Sequence, residues 1–167
     1  QWWRGIGMVS EDRKSEGLAL GLSIADNITL SNMPFFLTPT RQSQSCQPWI
    51  DKVPIKCQSA LQPVSDLSGG NQQKVAIARL LHHDVDVLLL DEPTRGIDVG
   101  SKAQVYKIID ELACQGKAVL MVSSYLPELM GVCDRVAVMC RGILGKAVPV
   151  AERNEREIML EATGACE

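Results

Sequence analysis

The 167 residues are 46% hydrophobic and 22% charged, ordinary for a globular fold and enough for one full core or a piece of a larger domain. The formal net charge is −3 and no basic run exceeds two residues, which excludes the cationic stripe that nucleic-acid backbones demand, so no nucleic-acid partner is expected. Six cysteines lack any C-x-x-C pair and the two histidines, His82 and His83, stand far from metal-ligand spacing, so the thiols read as free cysteines of a reducing cytosol.

Residue 1 is Gln and a strand is predicted almost at once, at 5–9, so we expect the parent protein to carry a further N-terminal part. No apolar run approaches bilayer length and no signal-peptide pattern opens the chain, which reads as soluble and cytoplasmic. Between 31 and 64 stand five of the eight prolines (Pro34, Pro39, Pro48, Pro54 and Pro63) among Ser, Gln and Thr. That composition predicts an insert poor in regular structure, without long helices and with one short helix near 45–51.

From Leu67 onward the pattern is cleaner. The stretch LSGGNQQKV at 67–75 opens a helical run to about Leu81, and an apolar run at 85–90 follows, predicted as a strand covered on both faces. A helix is predicted over 101–115, with Val105, Ile108, Ile109 and Leu112 on one face and a left-handed cap at Gly116. Then come a strand at 118–123, a short helix at 127–133, a strand at 135–139, a tight turn marked by Gly142 and Gly145, and a charged helix at 151–162 after Pro149. Helices alternating with buried strands indicate an α/β fold with a mostly parallel sheet flanked by helices.

The 85–90 strand delivers Asp91 and Glu92 at its carboxyl end, the edge where parallel sheets place ligands. Asp91 is suited to Mg²⁺, held mostly through water, and Glu92 to orienting a water for attack on a phosphate. Alone, a D-E pair is better read as a solvated acidic turn, and Ser68-Gly69-Gly70 as an ordinary helix cap. Together they suggest more, because a helix N-terminus offers unpaired N–H groups and partial positive charge, and glycines let an anion come close.

In that combination LSGGNQQKV resembles the signature motif of the ATP-binding cassette family, VDVLLLDEP its Walker B strand and GIDVG its D-loop, in family order and over most of the chain. SEDRK at 10–14, DEPTRGIDVG and VSSYLPEL at 122–129 further resemble the second nucleotide-binding domain of the monosaccharide importers of ribose, xylose and galactose type. The resemblance implies a P-loop NTPase-like fold with a Q-loop-like region at 1–30, a divergent Pro-rich helical-subdomain region at 31–66, and signature, Walker B, D-loop, switch region and C-terminal helix at 67–167. It implies ATP and Mg²⁺ as cofactors, with Ser68, Gly69, Gly70 and Asn71 donated to the γ-phosphate of an ATP held mainly by a partner cassette domain. It makes Asp91 the metal carboxylate, with Glu11 at the Q-loop position beside it, Glu92 the catalytic carboxylate, Asp98 the D-loop residue facing across the dimer, and Ser124 the switch residue. Implied partners are a second nucleotide-binding domain, upstream or on a homologous subunit, a transmembrane sugar permease, and indirectly a periplasmic binding protein. The implied place is the inner face of the cell membrane.

Two departures shape the expectation. A G-x-x-x-x-G-K-[ST] phosphate loop is absent, since Gly116-Lys117 and Gly145-Lys146 are each followed by Ala. At the switch position, where most cassettes have histidine, stands Ser124, which cannot become a cation near neutral pH. The expected role is therefore asymmetric, with the donated signature as the main contribution and a weak Asp91–Glu92 site, and this chain alone is expected to be inactive. The alternative is a truncated, inactive cassette fragment that only binds or packs. A cassette ATPase of translation or DNA repair is argued against by the acidic balance and the absence of coiled-coil heptads.

Overall fold

The computed structural model describes residues 5–33 and 38–165; Gln1, Pro34 and Cys166, each used above, lie outside the described residues. These form two compact units, which divide between Val122 and Ser123.

The first unit is organised by a three-stranded parallel sheet in the order β1 (Ile6–Val9), β2 (Val87–Asp91), β3 (Ala118–Val122). Register aligns Val9 with Leu90 and Met121, and Met8 with Leu89 and Leu120. Since side chains alternate across a strand, Gly7, Val9, Leu88 and Leu90 share one face, and all four are buried. On that face lie α3 (Gly69–His82), which packs on β1, and α4 (Val99–Cys114), which packs on β3 and on α3. Leu90 is 2% exposed, whereas on the opposite face Met8 is 49%, Leu120 61% and Val122 56% exposed.

Among the described residues β2 is packed on the face of Leu88 and Leu90, while Val87 and Leu89 on its other face are half-buried. Both crossovers, β1 to β2 and β2 to β3, step the same way across the sheet, and right-handed connections then place every intervening helix on one side. An apolar run in the sequence records the demand for cover and not its source.

The 31–64 region is also corrected. It contains α2 (Pro39–Lys52), a helix of 14 residues, in place of the short helix expected near 45–51. Pro39 falls at the first helical position, where its missing N–H leaves nothing unpaired, and Thr38 caps the helix through Arg41 N–H. Gln42, Cys46 and Ile50 recur at four-residue intervals and are buried against α1 (Ile24–Thr29) and α3. The Gln42 amide donates to Asp26 at 2.8 Å and Thr29 at 2.9 Å, which fixes α2 on α1. Helix α1 opens with a reciprocal capping box between Ser23 and Asp26. Pro48 alone sits inside α2, on its exposed side.

Helix α3 is the hub. From Gln72 to Ala78 no side chain is exposed, and the row includes the polar Gln72, Gln73 and Lys74. Lys74 donates to the Pro54 carbonyl at 3.0 Å and to the Gln104 amide oxygen of α4, and its burial pulls the ammonium pKa down. At the far end His82 meets Trp49 of α2 edge-on, at 6.3 Å between ring centroids.

The second unit contains α5 (Leu126–Val132), an antiparallel pair β4 (Arg135–Val136) with β7 (Val148–Pro149), a hairpin β5 (Met139–Cys140) with β6 (Ile143–Leu144), and α6 (Glu155–Thr163). The strand expected at 135–139 is two short strands with different partners. The hairpin turns through Arg141 and Gly142, both at positive φ, which matches the twist a two-residue hairpin loop needs. The closing helix begins later than the expected 151, because Asn154 and Glu157 cap it reciprocally, and it ends on left-handed Gly164. No helix among the described residues is long and apolar enough to cross a membrane.

Pro48 costs α2 one hydrogen bond, so Pro48→Ala is expected to raise stability by about 2 kcal/mol in urea unfolding. Burial and the neighbouring His83 lower the His82 pKa from 6.5, so the unfolded chain takes up this proton first as pH falls. Its contribution is full above pH 6.5 and is lost on acidification below that value. Melting at pH 7.5 and pH 5.5 is expected to show a drop that His82→Phe, which keeps the contact with Trp49, reduces.

Candidate functional site

The two glycines at the start of α3 have a structural purpose visible in their surroundings. Gly70 is buried, and a Cβ there would stand 2.2 Å from Ser101 Oγ and 2.5 Å from Ser101 Cβ in the first turn of α4. Only glycine lets the two helix starts approach so closely. At Gly69 a Cβ would lie 3.3 Å from the Gly96 carbonyl and 3.7 Å from Arg13 Nη2. The glycines therefore seat α3 on the 96–101 segment, a reason the anion-approach reading did not contain. Their amides belong to the first helical turn, which has no intrahelical acceptors.

Ser68 is exposed at the N-cap, and its Oγ accepts from the Asn71 backbone N–H at 3.5 Å and from Asn71 Nδ2 at 3.0 Å. Asn71 Oδ1 in turn accepts from Lys56 N–H at 2.9 Å, which ties the signature turn to the segment after α2. Opposite it, Asp98 caps α4, accepting from Ser101 N–H at 2.9 Å and Ser101 Oγ at 2.7 Å. Those bonds hold its carboxyl below the usual range. Ser101 thus touches both the Gly70 approach and the Asp98 carboxylate.

Asp91 ends β2 beside Val122 of β3, and Glu92 N–H donates to the Val122 carbonyl at 2.9 Å. Glu92 then turns the chain with φ of +45°, a left-handed conformation that costs a non-glycine residue on the order of 1–2 kcal/mol. Such strain clusters where a side chain must be aimed. Arg95 N–H returns to the Glu92 carbonyl at 3.1 Å, Pro93 and Thr94 are buried, and Gly96 continues at φ of +69°.

Glu11 is already engaged, since the Arg95 side chain pairs with its carboxylate. Next to it, Asp12 Oδ1 accepts from Lys14 N–H at 3.0 Å and Ser15 N–H at 3.1 Å and opens a single wide turn, Arg13–Gly17. No three carboxylate, histidine or cysteine side chains among the described residues gather as a metal site. The first unit thus holds Glu11, Ser68, Gly69, Gly70, Asn71, Asp91, Glu92 and Asp98, while Ser124 belongs to the second, where the neighbouring Ser123 hydroxyl donates to buried Glu128 at 2.6 Å.

Sequence reasoning missed Arg13, Gln73, Lys74, Arg95 and Ser101. Two signals for them exist: Gln73 and Lys74 are polar at positions where α3 is buried all round, and Ser101 stands three residues after a capping Asp. Gly70→Ala is expected to lower stability by about 2 kcal/mol through overpacking against Ser101. Ser101→Gly in the same chain is expected to recover most of that loss, measured as coupling in a double-mutant cycle of urea midpoints.

Comparison with known proteins places the chain in a family. The family profile for ABC transporters matches residues 1–95. The ribose import ATP-binding protein RbsA of Hahella chejuensis is 47% identical over 167 aligned residues, covering 96% of this chain and 33% of that protein. RbsA of Clostridium perfringens is 42% identical over 166, covering 96% and 33%. The chain therefore spans about a third of the length of the curated relatives it matches. Among solved structures, cbiO1 of Clostridium perfringens, part of the ABC transporter complex cbiONQ, superposes with a TM-score of 0.75 at 21% identity, covering 98% of this chain and 64% of that one. The ATP-binding cassette MJ0796, a dimer bound to ADP and Pi, does so at 0.72 and 21%, covering 89% and 63%, which shows a shared fold. This chain belongs to the ABC transporter family.

Proposed function

We propose that this member of the ABC transporter family is the signature-bearing part of an ATP-binding subunit that energises sugar import. One observation carries the reading: Ser68 and Gly69 open α3 at the surface while Gly70 keys that turn into Ser101 beside Asp98, in a chain 47% identical to a protein named for ribose import. Ser68, Gly69, Gly70 and Asn71 present a hydroxyl and first-turn amides to the γ-phosphate of an ATP gripped by a second cassette domain. Asp98, locked on Ser101, faces the same partner.

Asp91 is the proposed Mg²⁺ carboxylate. A single carboxylate fits an ion that keeps several waters and takes its other oxygens from phosphates. Glu11 is second to it, because Arg95 holds it. Bound Mg²⁺ supplies charge neutralisation of the phosphates. Glu92, aimed by its left-handed backbone, orients the attacking water and accepts its proton. The segment works at the inner face of a membrane against a sugar permease, through the face that carries α2, with a periplasmic binding protein as indirect partner. No phosphate loop stands in the 167 residues, which favours the second reading, an inactive packing module, for the isolated chain.

The test uses the complete transporter that carries this chain, in vesicles, with ATP-driven sugar uptake as the readout. Ser68→Arg is expected to reduce uptake about a hundredfold or more, the scale of losing an oriented charge-stabilising donor, and Glu92→Ala to reduce it less. Loss of uptake in Glu92→Ala with full uptake in Ser68→Arg sinks the asymmetric reading. For the isolated chain, calorimetry with Mg-ATP is expected to give a Kd no tighter than about 1 mM. A micromolar value would contradict it.

A further inference from the structure

Arg13 links its own segment to the first turns of α3 and to the turn after Glu92. Its Nη1 donates to Gln73 Oε1 of α3 at 3.1 Å and to the Arg95 carbonyl, in the turn after Glu92, at 3.1 Å. A Cβ added at Gly69 or at Gly96 would stand 3.7 Å or 3.6 Å from its Nη2. The reverse strap also exists, because the Arg95 side chain pairs with Glu11, two residues before Arg13. Gln73 is 1% exposed and its Nε2 finds no hydrogen-bond partner among the described residues, so the bond to Arg13 is what orients a buried amide at the cost of its other end. The exposed Arg95–Glu11 pair contributes little by itself. The half-buried guanidinium on a carbonyl and an amide oxygen is the stronger link.

We propose that Arg13 is a positioning residue, a clamp that makes the first turns of the signature helix α3 and the turn that follows Asp91–Glu92 one rigid body. The inference rests on the reading of the signature as a donated contact. A signature turn pressed on a partner's phosphate would then transmit its position to this chain's own carboxylate turn, and the reverse, without Arg13 touching nucleotide at all. The single wide turn of Arg13–Gly17, pinned by Asp12, holds the Arg13 backbone where its side chain meets both acceptors.

The first arm is hydrogen exchange on this chain, with no nucleotide present. In Arg13→Leu the amides of Gln72, Gln73, Lys74 and Arg95 are expected to exchange about tenfold faster or more, all together. Those of Leu88, Leu89 and Leu90 should hold their rates and the melting temperature should stay close to the parent's. Arg13→Lys is expected to fall between. Faster exchange confined to residues 13–17 overturns the clamp. If Arg13→Leu does not fold, Gln73→Met removes the acceptor instead, and unchanged exchange at Gly17 and Leu18 in that variant is equally fatal. The second arm is ATP hydrolysis by the complete transporter: Arg13→Leu is expected to lower kcat about tenfold with KM for ATP within twofold, because ATP is gripped elsewhere. An unchanged kcat overturns the coupling role. A parent transporter that hydrolyses no ATP defeats the proposed function instead, and the exchange arm still decides the clamp.

Discussion

The first unit depends on one close approach, that of the α3 start to the α4 start, where Gly70 leaves no room for a Cβ beside Ser101. Helix α3 is enclosed along its length by α1, α2, α4 and β1, so its direction is set by the core. Its first turn, though, must end at the surface with Ser68 exposed. Core packing alone orients a helix axis but leaves rotation and register to be fixed by short-range contacts. The Gly70–Ser101 contact supplies that fixing, and because Ser101 also anchors the Asp98 cap, the starts of α3 and α4 share one pivot.

Buried Gln72, Lys74 and Asn27 do much of the remaining fastening, each matched to backbone groups or a second side chain. Gln72 donates to the carbonyls of Val64 and Leu67, each at 3.2 Å, Lys74 spans Pro54 and Gln104, and Asn27 closes the 19–23 loop on α1. Placed in a core without partners these groups would each cost several kcal/mol, so their presence specifies one arrangement of the surrounding loops. The segment after α2 is joined to the start of α3 by this means, through Lys74 on the Pro54 carbonyl and through Asn71 and Lys56 N–H at the surface.

What the sequence shows by itself follows from how local each determinant is. The face of Val105, Ile108, Ile109 and Leu112, the cap at Gly116, and the strand leading to Asp91 and Glu92 were all legible, since periodicity and turn chemistry act within a few residues. Proline counting failed at α2 because position within a helix matters more than number: Pro39 at the first turn is compatible with helix, and Gln42, Cys46 and Ile50 supply the buried stripe. Arg13 was quoted within SEDRK, but its partners lie 60 and 82 residues away, so no local rule could pair them.

The chemistry of the signature turn explains why it needs so much fastening. A helix N-terminus carries only about half a unit of positive charge, and its effect decays within the first turn. Neither Ser68, Gly69, Gly70 nor Asn71 adds a cation, unlike the lysine of a phosphate loop, which acts at a distance as a point charge. Hydrogen bonds from amides and a hydroxyl act only within about 3 Å and at good angles. A contact of that kind gains nothing from mere proximity: displacement of the turn by an ångström forfeits most of it. On the proposed reading, rigidity is the form in which this chain's residues would serve phosphate recognition, and the tethers on the turn from Ser101, Lys56 and Arg13 are what a charge-poor anion contact requires.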